Sequence, residues 1–176
     1  MMSVERRILG KYYVLALYPS PQGMAFVLFE DSLSLVDWGI TSMRGDTKSE
    51  HCIQFTARLI ERYVPDILVI EDTDQHGSRR DERVRALYRS FSTLADVHGV
   101  DVARYAKADV DKAFDAAGAL KKQERAQLVA AMLPALSHRI PPLRKPWMSE
   151  HPRMPLFEAA SLGIAHYYHK HRMKTE

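Results

Sequence analysis

Carboxylates that close an apolar run are the first candidates for chemistry in this chain. The stretch PDILVIED, residues 65–72, is almost continuously apolar until Glu71 and Asp72, and Asp74 follows two residues later. Acids at the end of a buried strand can gather around a hard divalent cation, which needs several charged oxygens. Asp72 adjoins Glu71 on a strand and points to the other face. Asp74 could fold back from the loop beyond, and Asp109 and Asp111, on a short helix, could approach the same rim. The plain alternative is a set of solvated turn residues, because aspartate is common in turns for local hydrogen-bonding reasons.

Cations are the second feature. HGSRRDERVRALYRS carries Arg79, Arg80, Arg83, Arg85 and Arg89 just beyond Glu71, and LRKPWMSEHPR carries Arg144, Lys145 and Arg153 around Trp147. Such side chains bind a phosphate backbone, and an interleaved aromatic ring can stack on an exposed base. The competing reading pairs Arg83 with Glu82 or Asp81 and lets Trp147 pin a proline-rich loop by packing. His166, His169 and His171 form no helical i, i+4 pair suited to zinc. The turn PSPQG lacks the glycine pattern that lets a backbone cradle phosphate, which weighs against sugar-kinase and actin-like ATPases.

The elements that must position these groups follow from hydrophobic spacing. YYVLALY (12–18), GMAFVLFE (23–30) and SLVDWGITS (34–42) are short, rich in β-branched and aromatic residues, and joined by gaps that favour antiparallel neighbours. Residues 48–64 repeat apolar side chains at helical intervals and stop before Pro65. Residues 66–72 read as a strand buried on both faces. A helix is predicted over 80–98, a strand over 100–106, a short helix in ADVDKAFDAAG, a longer one in KKQERAQLVAAMLPAL and a last one over 155–171. The proline-rich stretch between the last two must be loop. Three antiparallel strands followed by strands that alternate with helices predict an α/β fold, a mixed sheet flanked by helices. Ligands of such sheets bind beyond the carboxyl ends of the parallel strands, and if the first and fourth strands are neighbours, Tyr18 and Glu71 share that edge.

Composition sets outer bounds. The 176 residues suit a single domain, with 46% hydrophobic and 27% charged side chains. One cysteine, Cys52, excludes an internal disulfide framework and fits a reducing cytoplasm, and neither a signal-peptide core nor a membrane-length apolar run is visible. The net charge of +3 permits nucleic-acid binding without demanding it.

The order of these segments resembles the ribonuclease H-like fold and, more narrowly, the RuvC-like Holliday-junction resolvases. VLALYPSPQGMAFVLF is similar to the family's opening, where an apolar strand ends in Asp-Pro-Gly. PDILVIED resembles its second acidic strand, KKQERAQLVAAML its lysine-bearing helix, and FEAASLGIAHYY its closing Asp-Ala-Ala-Asp-Ala helix. The resemblance implies a magnesium or manganese site made of four carboxylates. At those positions this chain has Tyr18, Glu71, Glu158 and Ser161. Glu158 and Ser161 are three apart, on one helical face. Tyrosine and serine are neutral at pH 7, so the implied catalytic and metal set falls from four carboxylates to Glu71 and Glu158.

The leading expectation is therefore a RuvC-like protein with a degenerate site. It would bind branched or structured DNA without cutting it, or serve as a structural subunit of a DNA-processing complex, with no cofactor. Its nucleic-acid contacts would be Arg79, Arg80, Arg83, Lys122, Arg144, Lys145 and Trp147. One alternative is a working magnesium- or manganese-dependent endonuclease with Asp74 substituting in the site. Another is a protein-interaction module. The resemblance also implies a homodimer through residues 80–98, where Val84, Leu87, Tyr88, Phe91 and Leu94 form an apolar stripe that could equally pack on its own sheet.

Overall fold

The computed structural model describes residues 10–31, 33–75, 80–118 and 120–175. Strands β1 (Tyr13–Ser20), β2 (Gly23–Glu30) and β3 (Ser34–Ser42) form an antiparallel meander, followed by helix α1 (Lys48–Tyr63) and strand β4 (Ile67–Glu71). Helix α2 (Glu82–Val97), strand β5 (Asp101–Tyr105), and helices α3 (Lys107–Ala113), α4 (Lys122–Met132) and α5 (Met154–Met173) complete the order. The sheet runs β3-β2-β1-β4-β5, with β1 parallel to β4 and β4 parallel to β5. The mixed sheet is the one expected from the sequence, and β1 lies beside β4, the condition under which Tyr18 and Glu71 share an edge.

Alternation along the central strands separates two cores. Val14, Ala16 and Val69 face α4 and α5, whereas Leu15, Leu17, Leu68 and Ile70 face α1 and α2. Helix α5 is buried almost all round, from Met154 to Tyr167, because it lies in the middle of one face. Gly163 lets it come close: a Cβ there would overlap the ring of the fully buried Phe29.

Boundaries differ from the expected ones for local reasons. β1 continues past Tyr18 through Pro19 and Ser20, which pair with Met24 and Gly23 on β2. Its pairing with β4 has ended by Ala16, so the missing N–H of Pro19 costs no ladder bond on that side. Helix α2 starts at Glu82 because the Asp81 side chain accepts from the Val84 N–H. Helix α4 stops at Met132, and Pro134 opens a 3-10 turn over Pro134–Arg139 where a longer helix was expected.

Of the two roles open to the apolar stripe of α2, packing on the chain's own sheet is the one seen in the structure. Leu87, Tyr88 and Phe91 are buried in the chain's own core, with Val84 and Leu94 packed against it. Leu87, Tyr88 and Phe91 are thus used within the chain, while Val84 and Leu94 stay half-buried. Among the described residues, no helix is long and apolar enough to cross a membrane.

Candidate functional site

The register of the parallel strands sets the site. β1 and β4 pair Val14 with Ile67 and Ala16 with Val69, and that register carried four residues past Val14 and Ile67 puts Tyr18 level with Glu71. Glu71 in turn pairs with Tyr105 on β5. Tyr18, Glu71 and Tyr105 thus form a row along the carboxyl edge. With Lys107, Val110, Lys122, Arg125, Glu158 and Leu162 they line a cavity of ≈ 180 Å³. The structure therefore brings together Tyr18, Glu71 and Glu158, which the sequence separates widely.

Each of the two carboxylates already holds a cation from its own chain. Arg80 donates through Nε and Nη2 to Glu71 Oε2 at 3.0 and 2.9 Å, and the Tyr88 hydroxyl donates to the same oxygen at 3.2 Å. Arg125 donates through Nη2 to both oxygens of Glu158 at 3.1 and 3.2 Å, and its Nη1 reaches Asp111 Oδ1 at 3.2 Å. Arg125 and Glu158 are nearly buried, with side chains 8% and 13% exposed, so solvent screens this pair little. Lys122 lies 3.8 Å from Glu158 and 2.7 Å from Glu150.

The other two positions are occupied by neutral groups. The Arg80 guanidinium carbon sits 4.8 Å from the centre of the Tyr18 ring, a cation–π contact. Burial, and then the Glu158 carboxylate, push the Tyr18 phenol above its ordinary pKa, so it stays protonated. Burial also opposes the charge on Arg80, but the net shift is upward, and the Glu71 carboxylate it binds holds the guanidinium charged. Ser161 is buried and donates its hydroxyl to the Phe157 carbonyl, 2.6 Å away on its own helix. Leu162, one turn after Glu158, lines the cavity, and Ser161 is not among its walls.

The nearby aspartates divide. Asp111 joins the cluster through Arg125. Asp109 caps α3 by accepting from the Ala106 N–H, and Asp72 accepts from the Asp74 N–H in a turn that leaves Asp74 exposed. Among the described residues, no group of three or more carboxylate, histidine or cysteine side chains could hold a metal ion. The donor set does not fit the magnesium site that the resemblance implies. Of the positions where the resemblance implies ligands, Tyr18 is a neutral phenol, Ser161 is turned to its own helix, and the two carboxylates are bound to arginine.

The cationic residues are distributed differently from the sequence reading. Arg79 lies outside the described residues. Arg80 turns inward to Glu71, Arg89 pairs with Glu82, and Arg83 is exposed and donates to the Asp46 carbonyl at 3.4 Å. Arg144 donates to the Met148 carbonyl, and Lys145 stands 5.3 Å from the centre of the Trp147 ring. Trp147 is 77% exposed, so it does not pin its loop by burial. Sequence reasoning missed Arg125 and the Tyr88 hydroxyl. A signal for Arg125 existed: it lies three residues after Lys122 and so shares its helical face.

No protein-family model matches the chain, and no curated protein matches it. Solved structures do. The chain is similar to Thermus thermophilus RuvC in one solved structure (16% identity, TM-score 0.66) and in another in complex with a Holliday junction substrate (16% identity, TM-score 0.63). Each alignment covers 93% of this chain and 97% of that one. It is also similar to the yeast mitochondrial Holliday junction resolvase Ydc2, at 11% identity and TM-score 0.61, over 99% of this chain and 87% of that one. The fold is therefore the RuvC-like form of the ribonuclease H-like fold.

Proposed function

We propose that the chain is a non-cleaving RuvC-like protein that binds branched or structured DNA, by itself or as a structural subunit of a DNA-processing assembly. The observation that carries this reading is the pair of internal ion pairs, Arg80–Glu71 and Arg125–Glu158, at the edge where the resemblance implies metal-binding carboxylates. A divalent ion roughly 5 Å from a guanidinium would meet repulsion on the order of 7 kcal/mol at an effective dielectric of about 20. Two such guanidinium groups stand at this edge, bonded to Glu71 Oε2 and to both oxygens of Glu158. Asp74, the substitute ligand of the working-endonuclease alternative, shares a cavity with Glu71 but is not among the walls of the cavity that holds Tyr18 and Glu158. The DNA-binding half of the proposal is supported by the fold shared with a protein solved on a Holliday junction.

The test uses the full chain and a synthetic four-way DNA junction. The expected result is a retarded complex whose affinity falls as salt rises, with strands left intact in magnesium or manganese. Neither metal should raise the melting temperature, because a site that binds no ion gives no linked stabilisation. Cleavage that disappears on Glu71→Gln would overturn the non-cleaving reading, and absence of any junction complex would overturn the binding reading.

A further inference from the structure

Arg80 separates the acidic edge from a larger cleft of ≈ 470 Å³. The floor of this cleft is the Pro19–Pro21 end of the first hairpin, and its walls are the starts of α1 and α2. Arg44, Lys48, Arg80 and Arg83 line it, against a single carboxylate, Asp81, which accepts from the Val84 N–H. Among the described residues, no carboxylate forms an ion pair with Arg44, Lys48 or Arg83. Lys48 and Arg83 are held instead by carbonyls, those of Ser20 and Asp46, which orient the cations without neutralising them. Burial, with repulsion from Arg83 adding to it, draws the Lys48 ammonium below its ordinary pKa. Thr47 gives α1 no side-chain cap, so the positive end of that helix opens beside the same cations.

Such a concentration of positive charge attracts an anion. We propose that this cleft seats a backbone phosphate of a nucleic-acid strand, with Arg44, Lys48 and Arg83 as its direct partners. The remaining walls are prolines, serines, a glycine, Val84 and Leu87, with no aromatic ring to stack a base, which favours a phosphodiester over a free mononucleotide. Arg80 forms one wall of the cleft and also binds Glu71, so a strand held here would run beside the self-neutralised edge without entering it. The source of the phosphate rests on the DNA-binding reading above; the anion site itself does not.

The experiment compares the full-length wild type with Arg44→Ala plus Arg83→Ala, and with a charge-matched control, Arg172→Ala plus Lys174→Ala, at the exposed end of α5. Binding to a labelled four-way junction is measured over a range of potassium chloride concentrations. The cleft variant should bind about tenfold more weakly at low salt, and its logarithmic salt slope should fall by about one for each phosphate it no longer neutralises. The control should keep both values. Unchanged affinity and slope in the cleft variant, or an equal weakening in the control, would overturn the cleft while leaving DNA binding intact. If wild type binds no junction, inorganic pyrophosphate serves as the probe. Thermal protection that disappears in the cleft variant keeps the anion site with a free anion as its source, and no protection overturns it.

Discussion

At the residue scale, Arg125 does what a metal ion would do for Glu158 and Asp111: it supplies the positive charge. Breaking a buried pair leaves an uncompensated charge, which usually costs about 3–5 kcal/mol, whereas replacing both partners by apolar groups is often neutral. Arg125→Met is therefore expected to destabilise the protein by about 3 kcal/mol, softened by the nearby Lys122, and Arg125→Met with Glu158→Leu to recover most of that stability. Urea unfolding checks both, and a fully stable Arg125→Met would show that the pair contributes nothing. His166 offers a second expectation. It is buried beside the Tyr105 hydroxyl, 3.0 Å from Nδ1, while its Nε2 has no hydrogen-bond partner among the described residues. Burial first, then Lys170 and His169, lower its pKa from 6.5 to about 4. Between these values the unfolded chain binds a proton that the folded chain does not, so stability declines as pH falls from about 6.5 toward 4, by about 2–3 kcal/mol. Urea midpoints at pH 7 and 4.5 should show this decline in the wild type and a smaller one in His166→Gln.

Elements turn these residues into a site by bringing the helices close to the sheet. Gly163 decides how near α5 can lie, since the ring it meets belongs to a fully buried phenylalanine that has no room to swing away. Alanine would gain about 1 kcal/mol of helix propensity and lose up to about 3 kcal/mol to overpacking. Gly163→Ala is thus expected to destabilise by about 1–2 kcal/mol, read as a lower urea midpoint with unchanged slope. The strands were legible because their apolar runs and tight turns are local signals, and so was the end of β4 at Glu71. The partners of Glu71 and Glu158 were not. Arg80 looked like one more member of a solvated basic run, and nothing in the local pattern says that its guanidinium folds back over Tyr18. Whether the α2 stripe faced the chain's own sheet or a second subunit was equally invisible, because an amphipathic helix reads the same in both cases. Exposed Trp147 ran against the general habit of aromatic side chains, and only three-dimensional packing could decide it.

For the molecule as a whole, a net charge of +3 understates how unevenly charge is placed. The acidic edge is closed by its own arginines, while Arg44, Lys48 and Arg83, without carboxylate partners among the described residues, converge in the neighbouring cleft. Any nucleic acid that approaches should therefore be drawn to the cleft and not to the edge. The placement of α5 has a further consequence, for synthesis. The central strand β1 is made well before α5, yet one of its faces is covered by Met154–Met173. Until the ribosome has released that helix, Val14, Ala16, Val27 and Phe29 have no lid. A nascent or truncated chain lacking α5 would carry a bare apolar sheet face, a surface for chaperones to shield and a starting point for aggregation.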